Sequence, residues 1–142
     1  NLTPELGNLS NLTILNLRGN MVPSDSLSFL ARLNNLRVLN LAATAVSVIP
    51  DLSSLTQLQF LDISGNGIKT FPEHLVALGS LVKLDLSNNH IQQIPEGIMN
   101  LARLEKLNLY FNGLVSFPLF LLCLPSLRVL TIGNNPIKEL DC

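Results

Sequence analysis

The stretch Leu81-Val82-Lys83-Leu84-Asp85-Leu86-Ser87-Asn88-Asn89-His90-Ile91 decides the fold. Aliphatic residues stand at its first, fourth, sixth and eleventh positions, with an Asn at the ninth. The same frame returns upstream from Leu58, Leu36 and Leu12, and downstream from Leu104 and Leu127. The steps are 24, 22, 23, 23 and 23 residues. A fixed period of this size describes a solenoid, because each unit can bury its apolar side only by stacking on a neighbour. Within the quoted stretch the alternation has period two around Leu84 and Leu86, which predicts a short strand with both leucines turned inward. Every unit repeats one path in one direction, so successive strands run parallel at a spacing of about 4.8 Å.

Outward from each strand runs a return segment with a different period. Ile68, Phe71-Pro72, Leu75 and Leu78 are matched by Ile91, Ile94-Pro95, Ile98 and Leu101, and by Leu114, Phe117-Pro118, Leu121 and Leu124. Apolar residues three apart fit a 3₁₀ or short α-helical turn. The prolines fall where no ladder hydrogen bond is needed. In the first unit Ser24 or Asp25 is placed to cap a longer, genuine helix. Strands are more compact than return segments, so stacking bends the sheet side into a concave face. The fold class is α/β: a parallel sheet inside and short helical turns outside.

Six such units in register resemble the leucine-rich repeat family over essentially the whole chain. The 23-residue units with Ile/Phe-Pro are similar to the typical intracellular type of Ras-suppressor and Scribble-like proteins. The unit Val46, Ile49, Leu52, Leu55, Leu58 looks like that of regulators of protein phosphatase 1. The segment Leu2-Thr3-Pro4-Glu5-Leu6-Gly7-Asn8-Leu9 is similar to plant receptor repeats, without their Gly-x-Ile-Pro after each strand. The expected organisation is one domain over 1–142, with a partial repeat at 1–11 and strand units opening at 12, 36, 58, 81, 104 and 127. Neither end carries a polar cap, which predicts a fragment of a longer array, or ends covered by another domain or a second copy.

Composition narrows the function. Charged residues make up 13% of the chain at net −1, so no basic footprint favours nucleic acid or an acidic membrane surface. No apolar run approaches a membrane span, which predicts no direct insertion. The first residues lack a charged region followed by an apolar stretch, so no signal peptide is expected there. Cys123 and Cys142 are too few for a disulfide framework and read as a buried thiol plus a terminal one, a bridge between them being the alternative. Sequons begin at Asn1, Asn8 and Asn11, where chance supplies roughly two in a chain this rich in Asn, Ser and Thr.

Candidate functional residues emerge once the fixed positions are subtracted. Asn20, Asn66, Asn89, Asn112 and Asn135 recur after the strands and read as structural, each amide donating and accepting toward backbone of its own and adjacent units. Thr44 replaces that Asn in the second unit, predicting a weaker rung with water filling in. The outward strand positions carry no packing duty. Asp62 and Asp85 fall about one strand apart. As a pair they invite an acid/base reading, but an open, watered surface beside Lys83 and Lys106 argues for a solvated patch instead. No nucleophile with a base, phosphate-binding Gly loop or metal-spaced Cys/His set occurs, so neither an enzyme nor a cofactor or metal is expected.

The concave partner-binding set is therefore Phe60, Asp62, Lys83, Asp85, Lys106, Asn108, Tyr110 and Phe111; exposed aromatics recur in interfaces, so Tyr110 and Phe111 lead it, Phe111 folding into the turn being the competing reading. A second interface is expected at Leu119 and Phe120, where other units carry Glu73-His74 and Glu96-Gly97; a locally thicker core is the competing reading. The expected function is protein or peptide recognition without catalysis. The resemblance to the intracellular repeat subtype implies cytoplasmic scaffolding or signalling, with an extracellular receptor ectodomain or the regulatory subunit of an enzyme as alternatives.

Overall fold

The structure is a computed structural model that describes residues 2–141; the sequon at Asn1 and any bridge to Cys142 lie outside the described residues. Among those residues, six strands form one parallel sheet in chain order: β1 Ile14–Asn16, β2 Val38–Asn40, β3 Phe60–Asp62, β4 Lys83–Asp85, β5 Lys106–Asn108 and β7 Val129–Thr131. The register never slips. Ile14, Val38, Phe60, Lys83, Lys106 and Val129 form one row, and Leu15, Leu39, Leu61, Leu84, Leu107 and Leu130 the next. Strict side-chain alternation explains this, because a one-residue slip would turn every leucine of the second row into solvent.

The core is a column of aliphatics between sheet and return path. Leu39, Leu61, Leu84 and Leu107 are at most 1% exposed, and Ile63, Leu86 and Leu109 are fully buried beside them. Each such side chain contributes roughly 1.5–3 kcal/mol by leaving water. Leu12, Leu15 and Leu17 at one end, and Leu127, Leu130 and Ile132 at the other, are only half-buried.

The return path is built from 3₁₀ turns: η1 Pro4–Asn8, η2 Ser24–Arg32, η3 Glu73–Ala77, η4 Glu96–Asn100 and η5 Leu119–Cys123. In η3, η4 and η5 a proline, Pro72, Pro95 or Pro118, precedes the first residue in extended conformation and sets the entry. The first unit departs from expectation. Its turn is longer, with nine residues, but it is 3₁₀ rather than α. Ser24 and Asp25 lie inside it and supply no cap; instead the Ser26 hydroxyl donates to the Pro23 carbonyl at 2.7 Å.

Two features were not anticipated. Ser116–Pro118 forms β6 and Glu139–Asp141 forms β8, a second parallel pair on the return side, with Phe117 opposite Leu140. His74 also ties units together: its Nδ1 accepts the Leu52 N–H at 3.3 Å, and Nε2 lies 3.3 Å from the Ile49 carbonyl. This arrangement puts the ring proton on Nε2, as donor to Ile49. Cys123, read from sequence as buried, is exposed. It sits at the end of η5, where the side chain turns away from the core that Leu121 enters.

Candidate functional site

Behind the concave face stands the asparagine ladder. Asn89 shows its logic: Oδ1 accepts the N–H groups of Asn66 at 3.1 Å and Ile68 at 3.0 Å, while Nδ2 donates to the carbonyls of Ile63 at 3.1 Å and Leu86 at 2.9 Å. One amide thus closes its own turn and clamps the preceding unit. Asn66, Asn112 and Asn135 repeat the arrangement. Asn20 is exposed and bonds only to its own unit, at Leu17 and Arg18. Thr44 closes its own turn through a 2.8 Å bond to the Leu41 carbonyl, and Val22 N–H goes to the Thr44 backbone carbonyl at 3.1 Å. A main-chain acceptor therefore fills the gap that the missing amide leaves.

On the solvent side the sheet presents three columns. The middle one, Asn16, Asn40, Asp62, Asp85 and Asn108, turns out to have a structural duty that sequence reasoning missed. Each side-chain Oδ1 accepts the N–H two residues on, at Arg18, Ala42, Ser64, Ser87 and Tyr110, over 2.9–3.0 Å. These are N–H groups that leave the ladder as the strand ends, and an Asx turn satisfies them locally. The recurrence of Asn or Asp at this spacing was the available signal. The Ser64 and Ser87 hydroxyls add bonds of 2.6 Å to Asp62 and Asp85.

The two carboxylates occupy neighbouring register positions, as their spacing implied. Their remaining oxygens are engaged elsewhere: Asp85 Oδ2 accepts from Asn108 Nδ2 at 3.1 Å, and Asp62 Oδ2 lies 4.0 Å from Arg18 Nη1. That Arg18 contact spans two strands across Ala42 and is the one ion pair among the described residues. Lys83 and Lys106, opposite each other in register and exposed, therefore pair with neither carboxylate.

Tyr110 and Phe111 close the site at the strand ends. The Tyr110 ring lies over Gly133, where even a Cβ would meet Cδ2 at an ordinary contact distance of 3.5 Å, and Asn134 Nδ2 donates to the Tyr110 hydroxyl at 2.7 Å. Tyr110 is thus held, yet 39% exposed. Phe111 is 52% exposed with its ring centroid 6.3 Å from that of Tyr110. Its φ of 53° is left-handed, as in Gly19, Ala43, Gly65, Asn88 and Asn134 at the same position of other units. The turn demands this conformation, and an aromatic side chain suits it poorly.

Phe60 and Val38 border a shallow recess of about 250 Å³ over β2, β3 and Lys83. Lys83, Lys106 and Val129 border a second of about 140 Å³. Phe60, Asp62, Lys83, Asp85, Lys106, Asn108 and Tyr110 therefore share one face, with Phe111 at its rim. Leu119 and Phe120 lie apart, on the return side; both are half-buried, and Phe120 packs against the core. Leu122, unremarked in the sequence, is the exposed apolar residue of that turn, at 70%.

The chain matches the family model described as a leucine-rich repeat region over residues 1–140. It is 40% identical over 75 residues to the mouse leucine-rich repeat and IQ domain-containing protein 4, a match covering 51% of this chain and 13% of that relative. A leucine-rich repeat protein of Leptospira interrogans superposes with a TM-score of 0.75 at 28% identity, over 98% of this chain and 41% of that one. The plant peptide hormone receptor RGFR1, solved in complex with RGF2, gives 0.76 at 28% identity, over 93% of this chain and 22% of the receptor. The chain thus spans less than half the length of each of these proteins.

Proposed function

The chain belongs to the leucine-rich repeat family, a scaffold of recurring positions whose remaining outward residues carry no packing duty, and from that premise we propose a non-enzymatic binding module that holds a protein or peptide segment against the concave sheet. The observation that carries this reading is Phe111. A half-exposed aromatic persists at a left-handed position where other units place Gly, Ala or Asn, beside a Tyr110 already oriented by Asn134. Strain retained on a surface, with little packing in return, is the mark of a contact residue. The likeness to a receptor solved with RGF2 supports a peptide or protein as the occupant.

Selection of displayed random peptides against the folded chain tests the reading. Winners should lose at least tenfold in affinity for a Phe60→Ala, Tyr110→Ala double variant and should be indifferent to Leu122→Ser on the return side. Winners that tolerate the concave double variant and fail on Leu122→Ser would place the binding surface elsewhere.

The 23-residue Ile/Phe-Pro units support a setting in cytoplasmic scaffolding or signalling. The fold likeness to a plant hormone receptor, together with the exposure of Asn8 and Asn11, favours extracellular recognition as a second reading. Glycan mass on either Asn in natural material would support the second; reduced thiols together with unmodified Asn8 and Asn11 would sink it.

A further inference from the structure

Along the row nearest the strand starts, four consecutive strands present Phe60, Lys83, Lys106 and Val129. Both end residues are exposed apolar side chains, at 40% and 45%. The two central ones are cations opposite each other in register, an arrangement that costs stability in a sheet when nothing offsets it. The carboxylates of the neighbouring column keep their charge but form no direct pair with either lysine. Asp62 and Asp85 spend their oxygens on Ser64, Ser87, Asn108 and Arg18, and among the described residues neither comes within 4.0 Å of a lysine. The row is thus an apolar, doubly positive, apolar strip with a shallow recess on either side of Lys83.

Resting on the concave-face reading above, we infer that this strip recognises an extended peptide segment crossing the strands with an acidic side chain between two aliphatic ones, spaced i, i+2 and i+4. Geometry sets the spacing. From β3 to β7 the row crosses three inter-strand gaps, about 14 Å at ~4.8 Å each. An extended chain covers about 13 Å in four residues, and its side chains at i, i+2 and i+4 point to one face. An aliphatic residue over Phe60 therefore puts the next same-face residue midway between Lys83 and Lys106, and the one after that over Val129. A carboxylate at the midpoint meets both ammonium groups, while residues i+1 and i+3 face away and are unconstrained.

The probes are three labelled nonapeptides with cores Leu-Ser-Glu-Ser-Leu, Leu-Ser-Gln-Ser-Leu and Leu-Glu-Ser-Ser-Leu, read by fluorescence anisotropy. The first should bind at least tenfold more tightly than the other two at low salt, and the advantage should shrink towards 0.5 M salt. The Lys83→Met, Lys106→Met double variant, which keeps the aliphatic stems, should abolish the preference; circular dichroism on the same sample verifies its fold. Equal binding of the three peptides, binding of none, or a preference that survives the double variant overturns the inference. Peptides from the unbiased selection distinguish this failure from that of the parent reading: winners on the concave face without the central acid sink the strip alone.

Discussion

A single amide in this fold does the bonding of a small network. Asn89 is 1% exposed and engages backbone groups of two units, so Asn89→Ala leaves several buried partners unpaired, each costing about 1–3 kcal/mol. Denaturant titration should show a loss of at least about 3 kcal/mol for Asn89→Ala, against about 1 kcal/mol or less for Asn20→Ala, whose residue is exposed and bonds only within its unit. Phe111 behaves in the opposite way. Phe111→Asn, the residue found with φ near 54° at positions 88 and 134, should leave stability unchanged or raise it by up to about 1 kcal/mol while weakening a concave ligand. A thermal shift downward by more than a few degrees would mean that Phe111 packs rather than binds. At this scale the ladder was legible because it recurs with the period. The Asx column was not, since an Asn or Asp facing outward from a strand looks like ordinary surface until the N–H two residues on is seen to lack a ladder acceptor.

The strand and its exit turn form the smallest element that every unit repeats. Because Asp85 holds the Ser87 N–H, Asp85→Ala should cost about 1 kcal/mol even without a ligand, and Asp85→Asn much less, as Asn occupies this place in β1, β2 and β5. Equilibrium unfolding of both variants checks this, and any binding defect of Asp85→Ala must be judged against it. Return segments obey looser rules. The 24-residue unit carries the nine-residue η2, the 22-residue unit that follows has no helix among its described residues, and the sheet register passes both without a slip. One glycine inserted between Ser53 and Ser54 interrupts the 2.9 Å bond from Leu55 N–H to the Leu52 carbonyl but no sheet pairing, and should cost about 1–3 kcal/mol by the same titration. The same insertion after Leu84 would reverse the facing of Asp85 and of the buried Leu86 beyond it, and cost more. Strand positions were readable from alternation alone. The pairing of β6 with β8 was not, because Ser116-Phe117-Pro118 ends on a residue that cannot donate to a ladder.

For the whole molecule, stability is set by stacking between neighbours rather than by a central core. Interior rows such as Leu61, Leu84 and Leu107 are essentially dry, while Leu15 and Leu130 at the two ends are half-buried. Amide exchange should therefore be slowest for ladder protons such as Ile63 and Leu86 and faster for Leu17, with protection falling from the middle outward. Uniform protection along the chain would point to a single cooperative block instead. Site and fold were unequally legible at this scale, since the period reveals which side chains share a row but not which charges are already spoken for. The unbroken register has one more consequence. Residues 23 positions apart are next-door neighbours in space, so each unit acts as a movable character in a line of type. Excising 81–103 would close the sheet cleanly, bring Phe60 beside Lys106 and rewrite the surface in a single step. Recognition in such a chain can be edited by whole words as readily as by letters.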